Sequence, residues 1–291
     1  FKNFYKNNIK IDMAIDWFEG QSIDKSWSFS LNKFYPKCKT YAYRGGGDFS
    51  LHLCNYPIFA EKEANVIPRT FLITGDGYKN LLLKYIKKIN SIVVPSFRSL
   101  HVWDEARKIL LKDDYNNNFK ILVSLPISLS ASKNILNLLI KLNLKLKSSS
   151  TNEIFYIKVH PAFNSDNEFT SLSNKLSKRF LFQNDKDFKL LINNSNLLIS
   201  EASGTCLESI ACGIPVLVIK NPNGFFYNPI PDDIPKKNYK VICNEENLYN
   251  SIQFYKKNKL KLKKELTINS NKVRNKYFEP FNDKVIDNLF K

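Results

Sequence analysis

Hydroxyl-bearing and small side chains cluster in one turn of the chain, between two apolar runs at residues 197–200 and 216–219. The residues between these runs have the pattern of a tight turn followed by a short helix that stops at Gly213. The first amides of a helix have no partner within it and lie at its positive end, so such a turn is suited to bind a phosphate. The candidate phosphate contacts are Ser200, Ser203, Gly204 and Thr205.

Glu208, in the predicted helix, has two compatible roles. Thr205 and Glu208 have the spacing of a capping box, in which each side chain accepts a hydrogen bond from a backbone amide at the start of the helix. In that role the glutamate is structural. A glutamate at the ligand-facing end of a helix can also bind a ribose hydroxyl. The residues alone leave both roles open.

A second motif lies at the end of the apolar run at residues 154–159, where Lys158 is followed by His160 and Pro161. Ligands of parallel sheets bind at the carboxyl ends of strands, and residues two apart share a face. We therefore expect Lys158 and His160 to face a ligand, with Pro161 ending the strand. A histidine there can donate to a phosphate oxygen or stabilise a departing phosphate. A lone histidine in a loop can equally be structural.

Acidic residues near the start of the chain are candidates for a general base, because a carboxylate can accept the proton of a hydroxyl nucleophile. Residues 16–21 have the composition of a glycine-containing loop. The candidates are Asp12, Asp16, Glu19 and Asp24. Each of them alone can also be a structural residue.

Several other catalytic and metal-binding patterns do not occur in the sequence. Thr205 is not preceded by the lysine of a P-loop, and there is no Gly-x-Ser-x-Gly elbow. His52 and His101 have no acidic or serine partner at the spacing of a hydrolase motif. The five cysteines form no Cys-x-x-Cys pair and no cluster with histidine, so we predict reduced thiols and no metal site.

The elements that must position these residues are short apolar runs alternating with helical patterns. The runs are rich in Ile and Val and several end at Gly, Pro or Ser, which is typical of buried parallel strands. They are Thr40–Tyr43, Phe71–Thr74, Ser91–Val94, Ile121–Leu125, Ile154–Val159, Leu197–Ser200 and Val216–Ile219. Apolar residues at helical spacing predict helices over 135–146 and 207–211. The alternation predicts an α/β protein with parallel sheets.

The polar segment Lys112–Asn118 has the composition of a linker and precedes a fresh strand. We therefore predict two α/β domains, residues 1–112 and residues 113–291. The Lys-rich residues from Asn247 onward have helical patterns and are assigned to the second domain.

The chain has 44 Lys and Arg against 27 Asp and Glu, for a net charge of +17 over 291 residues. Lys and Asn are abundant throughout, so we attribute most of this charge to background composition. No nucleic-acid reader motif accompanies it, and we predict no nucleic-acid partner. Apolar residues make up 43% of the chain, which excludes general disorder. No apolar run approaches the roughly 18 residues that a membrane span needs.

At the residues just described, the sequence resembles GT-B glycosyltransferases of bacterial surface polysaccharide synthesis. Lys158–Pro161 is similar to the Lys-x-His-Pro motif of the cytidine-nucleotide users of that group: capsule Kdo transferases, bacterial sialyl- and polysialyltransferases, and CDP-glycerol glycerophosphotransferases. Ser200–Glu208, with 212–215, is similar to their second nucleotide motif, and the likeness is best over residues 119–245. Three further segments also look like proteins of this group: Trp17–Gln21, Lys33–Pro36 and Asn228–Pro231.

The resemblance implies two Rossmann-like domains, with the donor nucleotide bound by the second. By that resemblance His160 contacts the donor phosphate and Glu208 holds the ribose, while Glu19 is the catalytic carboxylate of an acceptor domain. Ser200, Ser203 and Thr205 would contact the phosphate or the base. Because the first domain of this fold is usually longer than residues 1–112, we expect its first strands to be absent from this chain.

The expected activity is metal-independent transfer of a sugar from a nucleotide-activated donor, with a cytidine nucleotide favoured and no further cofactor. The expected acceptor is a surface polysaccharide or a lipid-linked glycan. The expected location is the cytoplasm, with contact to the anionic inner membrane. A sugar-nucleotide 2-epimerase of the same fold and a non-catalytic module that binds nucleotide or glycan are the alternatives.

Overall fold

The computed structural model describes residues 1–46, 52–104, 106, 118–147, 152–163, 167–222, 224 and 226–290. These residues form two compact units, and each is described by itself. The first unit contains residues 1–100 together with 274–291, and the second contains residues 101–273.

The secondary structure alternates between strands and helices, as the pattern of apolar runs predicts. The strands are β1 (Met13–Trp17), β2 (Lys39–Arg44), β3 (Thr70–Ile73), β4 (Asn90–Val93), β5 (Phe119–Ser124), β6 (Glu153–Lys158), β7 (Phe180–Phe182), β8 (Leu197–Ser200), β9 (Val216–Ile219) and β10 (Tyr239–Ile242). The helices are α1 (Lys2–Lys6), α2 (Ser22–Phe34), α3 (Phe59–Glu63), α4 (Lys79–Leu82), α5 (Leu129–Lys147), α6 (Asn167–Ser173), α7 (Phe188–Asn193), α8 (Thr205–Ala211), α9 (Glu245–Lys257), α10 (Lys259–Tyr277) and α11 (Asp283–Phe290).

Each unit contains one parallel sheet. In the first unit the strand order is β1-β2-β3-β4, and in the second it is β10-β9-β8-β5-β6-β7. All the strand pairs are parallel, which confirms the predicted α/β class. All seven predicted strands form, within a residue or two of their predicted ends.

The prediction missed β1, β7 and β10 because none of them contains four consecutive apolar residues. Strand β7 has three residues, β10 includes a lysine, and β1 includes Asp16 and is only partly buried. Asp16 and Trp17, which we assigned to a loop, therefore lie at the end of a strand.

The core of the second unit lies between its sheet and the helices that pack on it. The predicted helical face of α5 is buried there, with Ile135, Leu139 and Leu142 fully inaccessible to solvent. These residues belong to one cluster with the strand residues Ile121 and Phe155. Apolar side chains at helical spacing on α5 thus lie against a sheet that is itself apolar, which is how βαβ units bury their surface.

The C-terminal residues differ from the prediction, because the structure groups 274–291 with the first unit rather than the second. The Glu279 amide donates to the Thr74 carbonyl at 2.7 Å, and the Glu279 carbonyl accepts from the Ser96 amide at 2.9 Å. The chain after α10 is thereby attached to the ends of β3 and β4. The predicted boundary at residues 112–113, and most of the linker around it, lie outside the described residues.

The order of the second sheet reverses at β5. From β5 the chain continues to β6 and β7 on one side, and β8, β9 and β10 follow on the other. In open α/β sheets the ligand crevice lies outside the carboxyl ends of the strands at such a reversal. The ends of β5 and β8 are therefore the place to look for a ligand site.

Within the described ranges, no helix combines the length and the apolar composition that a bilayer crossing requires.

Candidate functional site

Ser200 and Ser124 join the two strands that border the reversal point. The Ser200 hydroxyl donates to the Ser124 carbonyl at 2.8 Å, and the Ser200 side chain is fully buried. This placement differs from the predicted phosphate contact, because the hydroxyl is inaccessible and already satisfies a backbone acceptor. Ser200 therefore stabilises the pairing of β8 with β5 beneath the turn that follows β8.

The turn that follows β8 leads into α8, with Gly204 as the residue before the helix. The Cys206 amide donates to the Ser203 carbonyl at 3.1 Å, and the Leu207 and Glu208 amides donate to the Gly204 carbonyl at 3.1 and 3.2 Å. The first amides of α8 therefore donate to carbonyls of the turn. They are not the unpaired phosphate donors that the sequence predicts, and only backbone amides before the helix can take that role.

Two hydroxyls remain at the surface of this turn. Ser203 Oγ and Thr205 Oγ1 lie 2.9 Å apart, both side chains are partly exposed, and the Thr205 amide lies 3.4 Å from Ser203 Oγ. Hydroxyls can rotate to donate to an anion, and phosphate binding by Ser203 and Thr205 stays a prediction.

The far end of α8 confirms the predicted glycine stop. Gly213 has φ = 84°, its amide donates to the Ile210 carbonyl, and the Ile214 amide donates to the Ser209 carbonyl. This pair of bonds is the Schellman arrangement, which favours glycine because other residues are strained at positive φ.

Glu208 does not form the capping box. Gly204 rather than Thr205 precedes the helix, so Glu208 lies one position too far along to bond back to the capping residue. Its Oε2 lies 3.4 Å from Nε2 of His101 instead, and the two side chains are only 14% and 9% exposed. No sequence motif predicts this contact, because His101 and Glu208 are distant along the chain.

Glu201 also lies at this site, although no sequence motif predicts it. It directly follows β8, is 8% exposed, and its Oε2 has no hydrogen-bond partner. Burial raises the pKa of its carboxyl group above the ordinary value. Its carbonyl accepts from Cys206 Sγ at 3.3 Å, which holds the turn closed. The sequence signal that points to Glu201 is an acidic residue directly after the predicted buried strand Leu197–Ser200.

His160 follows the end of β6, at the carboxyl edge of the same sheet. Its Nδ1 accepts from the Ala162 amide at 3.2 Å. In the neutral ring the proton is then on Nε2, which is a hydrogen-bond donor. Pro161 begins a short 3-10 turn over Pro161–Phe163, so the strand ends where the sequence predicts.

Lys158 is held by the neighbouring strand connection. Its Nζ donates to the Asn184 carbonyl at 2.6 Å, and the Asn184 side-chain oxygen accepts from the Val159 amide at 3.2 Å. Asn184 thus fixes the end of β6 just before His160. The predicted role of Lys158 in nucleotide binding stays a prediction.

Glu19, the predicted catalytic carboxylate, lies in the first unit, just beyond β1. Its two oxygens accept from Trp17 Nε1 and Gln21 Nε2, each at 3.0 Å, and its side chain is exposed. Asp24 is buried and accepts from the amides of Glu19 and Gln21, both at 2.9 Å. Asp24 is therefore a structural residue that shapes the loop around Glu19.

Asp16 is a second carboxyl group in this part of the first unit. Burial, and then the negative charge of Asp24, raise the pKa of Asp16, and its Oδ2 has no hydrogen-bond partner. A carboxyl group with a raised pKa and an unsatisfied oxygen is a candidate proton acceptor or donor. Asp16, at the end of β1, and Glu19, in the loop after it, are thus the two candidate bases of this part of the first unit.

Among the residues that the structure describes, no group of three or more His, Cys, Asp or Glu side chains is arranged to hold a metal ion.

No protein-family model matches the chain, and no curated protein sequence matches it.

Solved structures share its fold. UDP-GlcNAc 2-epimerase from Neisseria meningitidis bound to UDP-GlcNAc is 15% identical, with a TM-score of 0.62 over 99% of this chain and 79% of that one. The Methanocaldococcus jannaschii UDP-GlcNAc 2-epimerase, in complex with UDP-GlcNAc and UDP, is 14% identical, with a TM-score of 0.60 over 99% and 76%. The wall teichoic acid polymerase TagF, with CDPG, is 10% identical, with a TM-score of 0.50 over 99% and 90%.

At these identities the likeness shows the fold alone. The chain has two parallel-sheet, Rossmann-like α/β units of the GT-B type, as the sequence predicted.

Proposed function

We propose that this protein is an enzyme of nucleotide-activated sugars and that it transfers a sugar from such a donor to a hydroxyl acceptor. The observation that carries the proposal is the hydrogen bond at His160, whose Nδ1 accepts from the Ala162 amide at 3.2 Å. A neutral ring with this bond carries its proton on Nε2, at the carboxyl edge of the second sheet, where ligands of this fold type bind.

Sugar transfer breaks the bond between the anomeric carbon and a phosphate oxygen, and negative charge accumulates on that oxygen. A preorganised donor stabilises this charge without reorganisation during the reaction. In the proposal, His160 donates to the departing phosphate, and Pro161 holds the histidine backbone in place. The chemistry requires no metal ion, and we expect transfer to continue in the presence of a chelator.

The turn before α8 binds the rest of the donor nucleotide in this proposal. Ser203 and Thr205 donate their hydroxyl groups to phosphate oxygens, and the absence of a side chain at Gly204 lets a phosphate approach the backbone. Glu208 accepts from a ribose hydroxyl. Lys158 contributes a positive charge at the same edge while its Nζ remains on the Asn184 carbonyl.

The acceptor hydroxyl loses its proton as its oxygen bonds to the anomeric carbon. Glu19 is the proposed general base, because the hydrogen bonds from Trp17 and Gln21 hold its exposed carboxylate in one orientation. Asp16 is the second candidate for this role, on the strength of its unsatisfied oxygen.

A cytidine nucleotide is the proposed donor base, and a surface polysaccharide or lipid-linked glycan is the proposed acceptor. Both follow from the similarity of Lys158–Pro161 to the Lys-x-His-Pro motif. In the proposal the enzyme is cytoplasmic, and the part of its net charge of +17 that exceeds background composition holds it near anionic lipid, where lipid-linked acceptors are found.

Epimerisation of a nucleotide sugar at C2 is the second candidate function. It is favoured by the two solved structures described as UDP-GlcNAc 2-epimerases, which have the same fold over 99% of this chain. An epimerase needs no acceptor, but it must break the C2–H bond, so it exchanges that hydrogen with solvent. This exchange distinguishes it from a transferase.

The test begins with thermal shifts of the purified protein against CMP, CDP, UMP, UDP, GDP and ADP. We expect stabilisation by cytidine nucleotides that is lost in His160→Ala. Stabilisation by uridine nucleotides alone would contradict the proposed base, and no shift with any nucleotide would leave a glycan-binding module as the better description.

The reaction itself is tested by incubating the protein with nucleotide sugars in D₂O and following the products by NMR. Release of free nucleotide that depends on an added glycan acceptor supports transfer. Deuterium at C2 of the recovered nucleotide sugar, without acceptor, would show that the protein is an epimerase instead.

A further inference from the structure

We propose that His101 is a positioning residue for Glu208 and thereby sets the affinity of the site for a ribose. The inference rests on the proposed function, since it concerns the binding of a nucleotide at α8. It assigns a role to a histidine that no sequence motif identifies.

The geometry of the pair is the basis of the proposal. His101 Nε2 and Glu208 Oε2 lie 3.4 Å apart, and the two side chains are 9% and 14% exposed. His101 also packs edge-on against the ring of Phe188, with centroids 6.5 Å apart. The imidazole is thus confined between an aromatic ring and a carboxylate within a single unit of the structure.

The hydrogen bonds of the imidazole are incomplete in this structure. Both of its nitrogens are buried and neither has a partner with the geometry of a hydrogen bond, although Oε2 is within ion-pair range of Nε2. A buried polar group without a partner costs free energy, so a small movement that shortens this contact is favourable. Among the residues that the structure describes, Glu208 is an acidic group placed to complete them.

A positioned glutamate binds a ribose better than a mobile one. A glutamate side chain has several rotatable bonds, and fixing it costs free energy when a ligand binds. A carboxylate has two oxygens, so one can face His101 while the other accepts from a ribose hydroxyl. His101 therefore lowers the cost of ordering Glu208 before the nucleotide arrives.

The experiment measures dissociation constants by calorimetry for CMP and UMP, and for their 2′-deoxy and 3′-deoxy counterparts. Four variants are compared with the unmodified protein: His101→Leu, His101→Gln, Glu208→Gln and Phe188→Leu. Leucine fills the space of the ring without a donor, whereas the glutamine amide places an N–H group near the position of Nε2. Phe188→Leu is the matched control, because it disturbs the packing of the ring but not its contact with Glu208.

We expect His101→Leu to weaken CMP or UMP binding about tenfold, because binding must then include the cost of ordering the Glu208 side chain. The same variant should lose the preference for the ribonucleotide over one deoxy counterpart, as Glu208→Gln does. His101→Gln should restore this preference, and Phe188→Leu should retain it. A cooperative thermal unfolding transition of each ligand-free variant, monitored by circular dichroism, establishes that the variant is folded.

The outcomes separate this inference from the proposed function. If the unmodified protein binds the nucleotides and Glu208→Gln loses the ribose preference while His101→Leu keeps it, the role of His101 is overturned and the nucleotide site stands. An unchanged preference in Glu208→Gln overturns the inference as well. If no nucleotide binds to the unmodified protein, the proposed function fails and the inference fails with it.

Discussion

The Ser200 hydroxyl donates to the Ser124 carbonyl at 2.8 Å, and this bond joins β8 to β5 at the point where the order of the second sheet reverses. A short distance along the chain, Ser203 has the same side chain but lies partly exposed, with its hydroxyl 2.9 Å from that of Thr205. The two serines have identical chemistry and different surroundings, which makes them a matched pair for experiment.

Ser200→Ala should lower the free energy of unfolding by about 1–2 kcal/mol, because the buried Ser124 carbonyl loses its side-chain donor. The variant should bind nucleotide as tightly as the unmodified protein. Ser203→Ala should show the opposite behaviour: its nucleotide binding should be weaker, and its free energy of unfolding should change by less than about 0.5 kcal/mol. Urea denaturation and calorimetry measure the two quantities. Weaker nucleotide binding in Ser200→Ala would show that this serine contacts the ligand after all.

The two amide substitutions of His160 should differ in activity. In His160→Asn the side-chain oxygen can accept the Ala162 amide as Nδ1 does, but the donor near the phosphate is lost. In His160→Gln an amide N–H reaches close to the position of Nε2. We expect kcat to fall about 10²–10³-fold in the asparagine variant, and much less in the glutamine variant. Equal losses in both variants would argue against donation from Nε2.

Glu19→Gln should reduce kcat for sugar transfer by about 10²-fold or more while nucleotide affinity is unchanged, because a base acts on the acceptor and not on the donor. Asp24→Asn is the structural control. Asp24 accepts from the amides of Glu19 and Gln21, so its substitution should lower the free energy of unfolding by about 1 kcal/mol. If Glu19→Gln retains full kcat, the same assay on Asp16→Asn examines the other candidate base.

Glu201→Gln should raise the free energy of unfolding at neutral pH, by about 1 kcal/mol, because a buried carboxylate with an unsatisfied oxygen is replaced by a neutral amide. The pKa of Glu201 is raised in the folded state, so ionisation disfavours folding as the pH rises through the ordinary and then the raised value. The advantage of the glutamine variant should therefore be largest above the raised pKa and should disappear below the ordinary one. Urea denaturation between pH 3 and pH 8 measures it. An advantage that is the same at every pH would mean that the pKa of Glu201 is not raised in the folded protein.

Local sequence determined most of the second unit. The apolar runs at 121–125, 154–159, 197–200 and 216–219 are strands of one sheet. Three of them are buried at every residue, as in a parallel sheet covered on both faces, whereas β6 alternates between buried and half-buried residues. The stop at Gly213 was equally local, since only a residue tolerant of positive φ ends a helix in this way. Pro161 limits β6 for a local reason too, because proline has no backbone N–H group to donate to a neighbouring strand.

Tertiary structure decided which side chains are accessible and which are partners. Ser200 and Ser203 are indistinguishable in the sequence, and burial at the sheet reversal separates them. The pairing of His101 with Glu208 depends on where the packing of the second unit places two distant residues, and no spacing rule contains that information. The attachment of Glu279 to Thr74 likewise brings the end of the chain to the first unit, through backbone bonds that any sequence could make. Local patterns fix the elements because they depend on near neighbours, whereas the site depends on contacts between residues that only the folded chain brings together.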